Sequence, residues 1–270
     1  MTKFGFSKNI ILKMINLFRE VYYFLLKNFF AAIYGIIFIG IIYVSNFFDF
    51  WDISRFDIIF IIVLLLQWIL IAFKVESKHD FLVIMVFHFV ATIMEVFKTS
   101  EAIWSWQYPW VAESIFRIYN VPLFTGFMYS AVGSYITRAQ HFLNLEYVNY
   151  PKHRYVILLG FAFYLNFFTH HFIWDVRWVL IAFSIYLFSP TYVYFQVYKK
   201  RRRIHFITSA LLTAVVIWIA ENISTFYKIW LYPNQVDWWQ MVSFSKVTAW
   251  YMLLIVSFAI ISTLKKMRLN

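Results

Sequence analysis

The 270-residue chain contains no cysteine. That absence excludes disulfides, thiolate nucleophiles and cysteine-ligated metals, and leaves the compartment open. Glycine and proline are scarce, at six and five residues. Helices broken near mid-membrane, as many secondary transporters use, therefore have little to build on. Charge is thin as well: 14% of residues are Asp, Glu, Lys or Arg, where ordinary globular domains carry about 25%. No HExxH or similarly spaced ligand set occurs, so neither a metal nor a cofactor is expected. The basic residues stand beside no aromatic-basic or helix-turn-helix pattern, which argues against a nucleic-acid partner.

What is present is hydrophobic, at 63% of residues, with aromatics making up 24% of the chain. Apolar runs of spanning length fall at 29–48, 56–73, 80–98, 120–136, 154–173, 176–196, 204–222 and 245–263. Basic residues alternate with them. Lys3, Lys8, Lys13, Arg19 and Lys27 precede the first run. Lys74 and Lys78, then Arg138, Lys152 and Arg154, then Lys199 to Arg203, and finally Lys265, Lys266 and Arg268 follow at every second connection. Those segments hold eighteen cations, and the opposite side holds six: Arg55, Lys98, Arg117, Arg177, Lys228 and Lys246. This is the positive-inside pattern. It predicts an all-α, polytopic bundle of eight transmembrane helices with both termini cytoplasmic. Within residues 1–28, Asn9, Lys13, Asn16, Glu20 and Lys27 recur at helical spacing among apolar residues, which predicts an amphipathic helix on the inner membrane surface. Residues 29–270 then form one transmembrane domain.

Two stretches 126 residues apart are spelled nearly alike. One begins Glu95-Val-Phe-Lys-Thr99 and reaches Ile103-Trp104 and Tyr108-Pro109. The other begins Glu221-Asn-Ile-Ser-Thr225 and reaches Ile229-Trp230 and Tyr232-Pro233. Each starts with a carboxylate at the end of an apolar run, where an ionisable residue marks a functional site by default. An offset of four helices predicts a parallel tandem repeat, with halves 29–153 and 154–270. The competing explanation is chance recurrence at membrane exits, where Trp and Tyr are common.

Further polar residues gather at the same level. His88, Thr92, Glu95 and Thr99 form one helical stripe. The seventh run adds Glu221, Asn222 and Thr225; the fifth ends in Asn166, Thr169, His170 and His171; the fourth opens with Asn120; the eighth opens with Lys246 and Trp250. An outward-facing cavity follows, with Glu95, Glu221, His88 and His170 as candidate catalytic groups. Thr99, Asn120, Asn222, Thr225, Lys246 and Trp250 are the candidate substrate contacts. Adjacent His170 and His171 on a helix would point about 100° apart, so only one can face the site. Lys246 also reads simply as an ion-pair partner for a glutamate, and Arg177 for Asp175. Gly126, Ser130, Gly133, Ser134 and Thr137 form a small-residue face suited to close helix packing. The external tryptophans Trp104, Trp106, Trp110, Trp230, Trp238 and Trp239 read most simply as an interfacial belt.

Glu95-Val-Phe-Lys-Thr, Val121-Pro-Leu-Phe-Thr-Gly-Phe-Met-Tyr-Ser-Ala-Val-Gly-Ser-Tyr-Ile136 and Glu221-Asn-Ile-Ser-Thr with Trp230-Leu-Tyr-Pro-Asn-Gln resemble the bacterial integral-membrane family catalogued as domain of unknown function 817. The resemblance implies a multi-pass protein of the bacterial cytoplasmic (inner) membrane and carries no catalytic residues with it. Glu95, Tyr108 and Val121-Pro122 also resemble the membrane carotenoid hydratases over two helices, which implies isoprenoid chemistry. Three functions compete. The favoured one is a membrane-embedded enzyme acting on a lipid or isoprenoid substrate by carboxylate acid/base chemistry. The others are a proton-coupled small-molecule transporter and a non-catalytic scaffold or sensor. The lipid bilayer is the partner, and the sequence sets no oligomeric state.

Overall fold

A computed structural model describes residues 3–47, 53–73 and 77–264. Lys74, Lys265, Lys266 and Arg268 of the charge ladder lie outside the described residues. The chain is mostly helical. In order run α1 (Lys3–Ala31), α2 (Ile33–Ser45), α3 (Arg55–Ala72), α4 (Lys78–Lys98), α5 (Phe124–Phe142), α6 (His153–Thr169), α7 (Arg177–Phe188), α8 (Phe206–Phe226) and α9 (Lys246–Leu264). Among the described residues, four segments are long and apolar enough to cross a membrane: Arg55–Ala72, Phe81–Lys98, Phe206–Phe226 and Lys246–Leu264. The stretch Lys13–Ala31 with Ile33–Ser45 passes the same test as a pair but bends by 68°.

The expectation of an all-α chain needs correcting. Strand β1 (Arg117–Ile118) pairs antiparallel with β2 (Val121–Pro122). Strands β3 (Glu146–Val148), β4 (Tyr192–Gln196) and β5 (Arg201–His205) form a three-stranded antiparallel sheet. The apolar run 176–196 is therefore not one helix. α7 stops at Phe188, just before Ser189-Pro190, because the residue before a proline is pushed out of the helical region. At 12 residues it rises about 18 Å, short of a ~30 Å hydrocarbon core. The following Tyr-Val-Tyr-Phe-Gln is rich in aromatic and β-branched residues and takes the strand they favour. Lys199 to Arg203, expected as a plain stop-transfer signal with anionic head-group binding as the alternative, form the hairpin turn and the start of β5.

α5 lies at the centre. Ser130 and Ser134 are buried, and the Ser130 hydroxyl donates across to the Ile84 carbonyl of α4 at 3.1 Å. A methyl group on Gly126 would stand 2.0 Å from His88 Nδ1, and one on Gly133 would stand 2.9 Å from the Phe87 ring. The small-residue face thus brings α4 and α5 into close approach, as the sequence predicts. α5 is long enough to span, but its Gly, Ser, Thr, Gln and Arg content keeps it off the strongly apolar set. One core cluster joins Val83, Phe163, Phe188, Phe206 and Ile255. A second joins Tyr34, Phe38, Phe56, Tyr108 and Phe124.

α1 packs against the three-stranded sheet. Tyr23 stacks on Tyr198 with centroids 4.9 Å apart, and Lys27 Nζ donates to the Gln196 carbonyl at 2.9 Å. Its other faces expose Met14, Phe18, Tyr22 and Leu25. At the opposite end, Arg55 donates to the carbonyls of Ile42 and Tyr227. Those lie at the C-terminal ends of α2 and α8, which leave carbonyls without intrahelical partners.

Candidate functional site

Each of the duplicated stretches closes an aromatic cage over its own glutamate. Glu95 is 1% exposed. Its Oε2 accepts from Trp106 Nε1 and from the Tyr108 hydroxyl, both at 2.8 Å, while Oε1 accepts from the Tyr129 hydroxyl at 2.6 Å. Glu221 is 3% exposed. It accepts from the Tyr232 hydroxyl at 2.6 Å and from Trp250 Nε1 at 2.8 Å. Buried carboxylates require such donors. Burial, together with the adjacent glutamate, pushes the Tyr108 and Tyr232 phenols well above their ordinary range, so both remain protonated donors at any physiological pH.

The two loops also touch each other. Gln107 and Leu231 exchange both main-chain hydrogen bonds at 2.9 Å in an antiparallel bridge. The pairing sets Trp106-Gln-Tyr-Pro109 against Trp230-Leu-Tyr-Pro233. It makes Trp106, not Trp104, the counterpart of Trp230, and puts the two extra residues of the first copy ahead of it. In both loops a non-glycine residue two positions before that tryptophan is left-handed: Trp104 at φ 41° and Lys228 at φ 55°. Such residues are uncommon, and here they turn the chain at matching places. The cages adjoin: the rings of Trp106 and Tyr232 lie 6.3 Å apart and those of Tyr129 and Trp250 6.2 Å apart.

The other candidate residues divide. Lys246 Nζ stands 4.2 Å over the Tyr232 ring, a cation–π contact on the phenol that serves Glu221. Trp250 is a direct partner of Glu221. Thr99 is buried, its hydroxyl donating to the carbonyl of Glu95. Asn222 pins the approach to α9, accepting from the Val242 amide at 2.9 Å, and Thr225 accepts from Trp239 Nε1. His88 does not reach the glutamates. Its ring lies against Gly126 and 4.7 Å from the Phe127 ring. Asn120 is exposed at the tip of the β1–β2 hairpin, because α5 starts at Phe124 and not at 120.

His170 belongs to a separate cluster. α6 ends at Thr169, so the 100° rule for a continuing helix does not apply, and both histidines face one cation. Lys98 Nζ lies 2.7 Å from His171 Nε2 and 3.4 Å from His170 Nε2. Asp175 pairs with Arg177 at 2.7 Å and accepts from Asn166. Among the described residues no group of three or more His, Cys, Asp or Glu could hold a metal ion.

Behind the Glu221 cage runs a cavity of about 570 Å³, within the usual range of ligand sites. It is lined by α1, α2, α5, α8 and α9 and reaches the sheet at Val193, Phe195 and Ile204. Its walls are overwhelmingly apolar, and among the described residues Glu221 is the one carboxylate that lines it. Glu95 does not line it.

Sequence reasoning singled out Trp250 and carried Tyr108 and Tyr232 in the shared Tyr-Pro pairs, but it missed Trp106 and Tyr129 as donors. Asp57 was also missed. It is buried and accepts from the Ser114 hydroxyl and the amides of Ile115 and Phe116, fastening the loop ahead of α5.

No solved structure matches the chain significantly. The chain is 41% identical over 214 residues to the uncharacterized protein YoaT of Bacillus subtilis (strain 168), spanning 79% of this chain and 80% of that protein. The family model described as Protein of unknown function (DUF817) matches residues 20–258, and the chain belongs to that family.

Proposed function

We propose that this is a multi-pass protein of the bacterial cytoplasmic membrane that takes one long-chain lipid or isoprenoid into the 570 Å³ cavity and acts on it by acid/base chemistry at Glu221. The observation that carries the reading is the lining. A deep apolar cavity offers a single carboxylate, and that carboxylate is one of the duplicated pair. Ile36 of α2 and Leu212 and Val216 of α8 line the cavity and are also exposed, which supports entry from the bilayer between those helices. The partial resemblance to carotenoid hydratases points to the same substrate class.

In this reading the two duplicated glutamates have separate duties. Glu221 meets the substrate, and Glu95 holds the frame. The tandem-repeat origin is supported by the matched Trp-X-Tyr-Pro loops and their bridge. We retain the eight crossings with cytoplasmic termini on the strength of the charge ladder, with α2, α6 and α7 as short crossings.

The test is comparative lipidomics of cells with and without the gene. A lipid species should change on deletion, return with the unsubstituted protein, and fail to return with Glu221→Gln at equal protein abundance. Lipid extracts identical in all strains would refute the proposal.

A further inference from the structure

The three-stranded sheet has two unlike faces. Side chains alternate along a strand, and the pairings Tyr192↔His205, Tyr194↔Arg203 and Gln196↔Arg201 set the register. Val193, Phe195 and Ile204 line the cavity. Tyr192, Tyr194, Arg201 and Arg203 consequently occupy the opposite face. There the Arg203 guanidinium stands 5.0 Å over the Tyr192 ring and that of Arg201 5.0 Å over Tyr194. At the turn Lys199 Nζ lies 5.5 Å over Tyr198.

The charge on this hairpin is lopsided. Five consecutive cations, Lys199 to Arg203, meet two carboxylates: Arg201 pairs with Glu146, and Arg202 lies 3.8 Å from Glu20 of α1. A topogenic signal needs only the charges. It does not need arginines set over tyrosine rings, which holds their guanidinium groups on one face of the sheet. Arginine matches phosphate geometry, and tyrosine favours the headgroup level of a bilayer. The hairpin also packs on α1, whose exposed apolar residues Met14, Phe18 and Leu25 suit a helix lying in that same interface.

We infer that the Tyr–Arg face of the β4–β5 hairpin is a binding surface for the phosphate headgroups of anionic phospholipids in the inner leaflet. A nucleic acid would present phosphates too, but the hairpin packs on α1, whose exposed Met14, Phe18 and Leu25 suit a bilayer interface and not a nucleic acid. The inference does not depend on Glu221 or on the identity of any cavity ligand.

The experiment is native mass spectrometry of the full-length protein offered equal amounts of phosphatidylglycerol and phosphatidylcholine. Phosphatidylglycerol should be retained preferentially. Arg203→Gln should weaken that retention about fivefold, and Arg203→Gln with Lys199→Gln about thirtyfold, as cations near an anionic surface contribute singly. Lys228→Gln, an equal charge change at the other end of the molecule, should have no effect. A melting temperature in phosphatidylcholine matching the unsubstituted protein certifies each variant's fold. Equal retention of both lipids, or equal losses from Arg203→Gln and Lys228→Gln, overturns the inference. So does full displacement of phosphatidylglycerol by equimolar inorganic phosphate, which would make the ligand a free anion.

Discussion

At the scale of single residues, Glu95 acts as an acceptor for three buried donors, from Trp106, Tyr108 and Tyr129. Removing it strands them, at about 1–3 kcal/mol for each donor left buried without a partner. Glu95→Ala should therefore lower the melting temperature sharply, and Glu95→Gln less so, since an amide oxygen still accepts. Thermal unfolding of the purified variants checks this ordering; equal stability of all three proteins would contradict it. The glutamates were legible in the sequence because carboxylates ending apolar runs are rare. Their cages were not. An indole N–H advertises nothing in the sequence about where it points, and Trp106 read as one more belt tryptophan. His88 illustrates the opposite error. Its spacing puts it on the stripe with Glu95, yet the glycine it rests on belongs to another helix.

At the scale of elements, the α4–α5 contact is set by what Gly126 lacks. A methyl group there meets His88 Nδ1 at 2.0 Å, and overpacking of this kind costs about 1–3 kcal/mol. Gly126→Ala should destabilise the protein, and adding His88→Ala should restore most of the loss. A double-mutant cycle on melting temperatures measures the coupling, and additive effects would contradict the packing described. The small-residue face of α5 was readable because its spacing alone requires a close neighbour. The end of α7 was harder. Hydropathy runs on unbroken from 176 to 196, and only Pro190 and the string of aromatic and β-branched residues after it distinguish a short helix and a strand from one long helix. Strand β4 was invisible for the same reason, and β5 read as a run of connecting cations because three of its five residues are arginine.

At the scale of the whole molecule, the two repeat loops meet at Gln107 and Leu231. Residues exchanging both hydrogen bonds in an antiparallel pair sit about 5.5 Å apart at Cα, within disulfide range. In a chain without cysteine, Gln107→Cys with Leu231→Cys should cross-link under mild oxidation, and each single variant should not. A shift in electrophoretic mobility reversed by reductant reports the bond, and its absence would separate the loops. The composition and charge ladder made the membrane class and the long helices legible. Contact between segments 126 residues apart was expressed only as a spelling likeness, and the two-residue insertion ahead of Trp106 misaligned even that.

The bridge has a mechanical consequence. It ties the α4–α5 and α8–α9 pairs by main-chain bonds at one end, reinforced there by Arg55 reaching Tyr227 from α3. The far end of the cavity meets Phe24 and Asn28 of α1, the bent junction at Ala32 and the sheet. A bundle clamped in this way is built like a clothes-peg, with its spring at the glutamates and its jaws at the hairpin. If the cavity takes a long chain as proposed, opening is expected at the jaws, with Glu221 held beside the spring.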